Sequence, residues 1–69
     1  MKTYTIGTLY ETFGTTNNKS KAISICNMIC ERRRISPSVY SEDDFGFRSE
    51  IGHAEYCKAQ KGARFIKEG

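Results

Sequence analysis

The sequence has no tryptophan and a single proline, and its cysteines are odd in number. Three thiols cannot close an intramolecular disulfide framework, and their spacing is unlike that of a disulfide-rich secreted scaffold. No apolar run approaches the roughly 18 residues that a bilayer-crossing helix needs, so contact with a membrane is not expected. Met1-Lys2-Thr3-Tyr4 leads directly into β-type sequence, so no signal peptide is expected either. These absences together describe a reduced, cytoplasmic protein. Gly7 and Gly14 make no phosphate-loop spacing. Glu42-Asp43-Asp44 lacks the alternating ligands of a calcium loop and reads as a turn. There is no internal repeat, linker or low-complexity stretch.

What is present is one small domain, residues 1–69. A chain this short buries only about 60% of the surface its unfolded form exposes. The natural economy is one layer of helix on one layer of sheet. Apolar residues make up 38% of the chain, and the four tyrosines and four phenylalanines are spread along its whole length, which argues for a folded core. The formal charge of +3 is a mild excess that permits nucleic acid or an acidic protein as partner and demands neither.

Residues 2–12 read as a strand. Tyr4, Ile6, Thr8 and Tyr10 alternate onto one face, and Thr3, Thr5, Gly7 and Leu9 onto the other. Residues 13–18 read as a loop whose Thr and Asn residues can cap a helix. Residues 19–34 carry the clearest period in the chain: Ala22, Ile23, Ile25, Cys26, Ile29, Cys30 and Arg33 fall within about 160° of a helical wheel. Ser20, Ser24, Asn27 and Glu31 oppose them, and Met28 lies off the stripe beside Lys21 and Arg32. Arg32, Arg33 and Arg34 suit the negative end of the helix dipole, and Pro37 prevents continuation. Beyond residue 38, Val39-Tyr40 begins a strand, and Phe45 and Phe47 alternate as in another. Ser49-Glu50 is able to cap a second short helix near residues 49–60, with Ile51, Ala54 and Cys57 at threefold spacing; a strand is the alternative for residues 53–60. Residues 63–66 read as a final strand. The expected fold is therefore α+β: one amphipathic helix on a small antiparallel sheet, in the order β-α-β-β, with room for the second helix.

Three constellations bear on chemistry. Cys26-x3-Cys30 and His53-x3-Cys57, on two packed helices, would present three thiolates and an imidazole to a tetrahedral zinc. The plainer reading is favoured: Cys26 and Cys30 lie in the apolar stripe as small core residues, and no metal or cofactor is expected. Cys57 with His53 lacks the orienting group and oxyanion hole of a nucleophile-base pair, so no catalytic residue is assigned and the chain is not expected to be an enzyme. Arg32-Arg33-Arg34 is the strongest charge feature. It reads first as a helix end paired with Glu42-Asp43-Asp44, and second as a grip on phosphates. Lys58, Lys61, Arg64 and Lys67, interleaved with Tyr56 and Phe65, are a looser basic set of the kind that lines a single-strand platform.

The expected function is a non-enzymatic module that docks on a protein partner and inhibits it, in the manner of a small accessory protein of a phage or mobile element. Met28, Arg32 and Arg34 on the outer flank of the helix are the expected partner-binding residues, because methionine adapts in shape and arginine makes forked hydrogen bonds. The alternative is a small nucleic-acid-binding domain using Arg32–Arg34 and the C-terminal lysines.

Overall fold

The computed structural model describes residues 2–68; Met1, where the expectation about a signal peptide begins, and Gly69 lie outside them. The chain runs β1 (Thr3–Gly7), β2 (Thr12–Thr16), α1 (Lys19–Arg33), β3 (Ser38–Glu42), β4 (Arg48–Cys57) and β5 (Gly62–Lys67). The sheet order is β2-β1-β3-β4-β5, and every neighbouring pair is antiparallel. This is the expected α+β architecture, with one helix on an antiparallel sheet, but the sheet holds five strands.

Two expectations require correction. Residues 2–12 are not one strand. The chain reverses after Gly7, where the Thr8 N–H donates to the Glu11 carbonyl (2.8 Å). A Cβ on Gly7 would lie 2.4 Å from that same carbonyl oxygen, so only glycine fits the close approach. The residues read as a loop then supply β2, and Tyr10, expected to share a face with Tyr4 and Ile6, is 95% exposed. The second helix is also absent, because residues 48–57 form β4. The threefold spacing of Ile51, Ala54 and Cys57 overlaps there with a twofold one, Gly52, Ala54 and Tyr56, and the pairing of β4 with strands on both sides decides between them.

The helix follows its sequence closely. The Asn18 side chain accepts from the Lys21 N–H (3.1 Å) and caps the start. Arg34 closes the end in the left-handed region (φ 55°), its N–H donating to the Cys30 carbonyl (2.9 Å). β2 and β3 run the same way on either side of β1, so α1 must travel back between them. Its C-terminus therefore lies at the end of the sheet that carries Gly7 and Ser38.

The core is thin. Ala22, Cys26 and Cys30 from the helix meet Ile6, Val39 and Ala54 from the sheet, all fully buried. Small helix residues at the contact let the two layers sit close. Tyr4, Phe13, Ile25, Ile29, Tyr56 and Phe65 close the margins, half-buried. Gly52 serves the same packing: a Cβ there would stand 2.5 Å from the Phe65 ring, which crosses the strand at that point. Asn27, expected on the outer face, has its Oδ1 buried with no hydrogen-bond partner.

Candidate functional site

The cysteine–histidine quartet does not converge. Cys26 and Cys30 are buried under the sheet, and the Cys26 thiol donates to the Pro37 carbonyl (3.1 Å). Burial pushes the Cys26 thiol up to about 11 and raises Cys30 as well, so both stay protonated near neutrality. On β4, Ala54 points to the helix; His53 and Cys57, at odd positions, point to the opposite face. The sheet thus lies between the two pairs. Among the described residues, no group of three or more His, Cys, Asp or Glu is placed to hold a metal ion. Four residues of strand also hold His53 about 13 Å from Cys57, too far for proton transfer. The imidazole instead meets Glu55, Nε2 to Oε2 at 2.8 Å.

Nor does the acidic turn meet the arginines. It sits at the end of the sheet where the helix begins, whereas the arginines are where it finishes. Glu42 pairs with Arg48 (3.7 Å). Asp43 organises the turn instead: its Oδ1 accepts from the Phe45 and Phe47 N–H groups (2.9 and 3.0 Å). The Asp43 N–H donates to the Phe47 carbonyl, and the Gly46 N–H, at φ 87°, to the Asp43 carbonyl. Phe45 and Phe47, read from the sequence as part of a strand, ride on this turn and are 87% and 74% exposed. Four hydrogen bonds centred on one aspartate hold two phenyl rings out in water.

The opposite end is basic, and its three arginines splay. Arg33 lies over the Phe13 ring (5.0 Å to the centroid) towards β2. Arg34 lies over Tyr56 (3.8 Å) towards β4, and its Nη1 donates to the Glu31 carbonyl (2.6 Å). Arg32 is exposed. The Glu31 carboxylate accepts from the Ala63 N–H (3.1 Å), which ties the helix end to the start of β5. That tie brings the β4–β5 turn, with Lys58 and Lys61, to the arginines. Arg64 opposes Glu55 and Lys67 opposes Gly52 farther along the sheet, so they do not join the group. Tyr56 and Phe65 are committed to packing and offer no free ring.

Of the residues expected to bind a partner, Met28 is 43% exposed and Arg32 comes one turn later, so these share a surface. Arg34 is held by Tyr56 and Glu31. The sequence reading missed Leu9 and Tyr10, which border a groove of about 420 Å³ on the face away from the helix, with Ser36, Ser38, Tyr40 and Glu50. Only a turn placed between Gly7 and Thr12 would have revealed them, and its signals are confined to Gly7 and to Thr8, whose hydroxyl accepts from the Tyr10 N–H (3.3 Å). Among the described residues no helix is long and apolar enough to cross a membrane. Comparison with protein-family models, with curated proteins and with solved structures finds no match to the chain.

Proposed function

We propose that the chain is a binding module that docks on a protein partner in the cytoplasm and inhibits it by occupying a surface, without chemistry of its own. The observation that carries this reading is the Asp43 turn with Phe45 and Phe47. Exposed phenyl rings contribute nothing to the core, and a side-chain bracket on the backbone beneath them reduces the entropy lost when they bind. Large aromatic side chains presented together are the usual anchors of protein interfaces. Met28 and Arg32 supply a second, weaker contact surface.

The test is affinity capture from the native cell with the parent chain and with the double variant Phe45→Ser, Phe47→Ser. A protein retained by the parent and lost from the variant, while the variant melts like the parent, supports docking through the turn. Equal retention by both chains removes the turn from the interface. Loss on Met28→Ala with Arg32→Ala instead would move the interface to the helix flank.

A further inference from the structure

At the end of the molecule far from the Asp43 turn, across an overall length of 40 Å, the fold assembles three features that the sequence keeps apart. Arg32, Arg33 and Arg34 end the helix. Lys58 and Lys61 arrive on the β4–β5 turn, carried there by the Glu31–Ala63 hydrogen bond and the Arg34–Tyr56 stack. Leu9 and Tyr10 arrive on the β1–β2 turn, beside the groove that holds Tyr40 and Glu50.

We propose that this end binds single-stranded nucleic acid, with phosphates along the arginine and lysine rim and a base taken between Tyr10 and Tyr40. The charge balance favours an anion. Of the acidic residues at this end, Glu31 accepts a backbone N–H, Glu55 pairs with His53 and lies opposite Arg64, Glu50 lines the groove and Glu11 is on the β1–β2 turn; against them stand Arg32, Arg33, Arg34, Lys58 and Lys61. Glu42, Asp43 and Asp44 lie at the other end of the sheet.

The aromatic groups favour a strand with exposed bases. Tyr10 is 95% exposed, at a groove of a volume that admits a small planar molecule. Bases of a single strand can reach such a ring and stack on it, whereas those of a duplex are already stacked on each other. Glu50 in the groove is a hydrogen-bond acceptor for exocyclic amino groups. This site shares no residue with the Asp43 turn, and it shares Arg32 with the helix flank.

The experiment is fluorescence anisotropy of a labelled oligodeoxycytidylate of about 20 nucleotides, titrated with the full chain at rising salt from about 50 mM. Expected is saturable binding that weakens steeply with salt. The triple variant Arg32→Ala, Lys58→Ala, Lys61→Ala should bind at least about tenfold more weakly, with the logarithmic salt slope reduced by about two for three lost phosphate contacts. Tyr10→Ala should weaken binding about five- to tenfold or more with the salt slope unchanged, because stacking releases no counterions. All four substituted positions are exposed, and matching thermal melts establish that the variants fold. Absence of binding at the lowest salt overturns the proposal. So does an unaffected triple variant, or a Tyr10→Ala variant that binds as the parent does. Equal competition by polyglutamate and by unlabelled oligonucleotide also overturns it, and reassigns the surface to an acidic protein.

Discussion

The two faces of the sheet differ in what each residue is permitted to be. On the helix side β4 offers Gly52, Ala54 and Tyr56, of which the first two are fully enclosed. On the other side the same strand offers His53, Glu55 and Cys57, which touch each other or solvent. From Gly52 to Cys57, past the irregularity at Ile51, the strand thus carries a sterically strict face and a tolerant one in alternation. The strict face arises because the helix contributes Ala22, Cys26 and Cys30, small residues that bring it close and leave no slack. The tolerant face has no second layer, and recognition surfaces are assembled there and at the two ends.

The sharpest test of that contrast substitutes adjacent residues of β4. Gly52→Ala places a methyl group 2.4 Å from the Ile66 carbonyl oxygen, a backbone atom that cannot step aside. A loss of about 3 kcal/mol is expected in urea unfolding, at the upper end for overpacking. His53→Ala, one residue away, should change stability by less than about 0.5 kcal/mol. Similar effects at both positions would erase the distinction between the faces.

The pH dependence probes the strict face from the helix side. The Cys26 thiol, ordinarily near 9, is pushed up to about 11 by burial, and Cys30 moves the same way. The unfolded chain therefore releases these protons first. Their contribution to stability is whole below pH 9 and is lost as pH rises through the folded value, near 11 for Cys26. Denaturant midpoints followed across that range should fall, and Cys26→Ala should flatten the decline while lowering stability at neutral pH.

Smaller effects separate the arginines. Arg34→Ala removes a stack on Tyr56 and a hydrogen bond to the Glu31 carbonyl, and should cost about 1 kcal/mol. Arg32→Ala should stay within about 0.5 kcal/mol. The sequence reading put both arginines among residues that bind rather than stabilise; equal, negligible costs in thermal melts would restore that view for Arg34. The smallest effect has the opposite sign. Asn27→Ala removes a buried oxygen without a partner and improves helix propensity, for an expected gain of about 0.5 kcal/mol.

Legibility tracked the range of the interactions. The helix from Lys19 to Arg33 was plain because its cap, stripe, basic end and the proline beyond it all lie within one segment. The final strand and the start of β3 were equally local. The β1–β2 turn was not, because Gly7 and Thr8, whose hydroxyl accepts from the Tyr10 N–H, are weak turn signals inside a strand-like alternation. What imposes it is β1 pairing with β2 on one edge and β3 on the other. The span 49–60 reads as helix or strand for the same reason: Ile51, Ala54 and Cys57 satisfy one period and Gly52, Ala54 and Tyr56 another, and only neighbouring strands choose between them. Of the candidate surfaces, the arginine cluster and the flank with Met28 were visible as residues. The display of Phe45 and Phe47 was hidden, because it depends on which backbone groups the Asp43 carboxylate reaches.

By itself the sequence determined the class of fold, the limits of the helix and the small, thiol-bearing side chains it turns inward, since periodicity and capping act over a few residues. Only the tertiary structure decided that Cys26 and His53 lie on opposite faces, that Tyr10 stands in solvent, and that Lys58 and Lys61 join the arginines. Each of these depends on strand register and on a crossover linking residues far apart in the chain. No local preference encodes such distances; they are set when the helix is laid across the sheet and the chain must close around it.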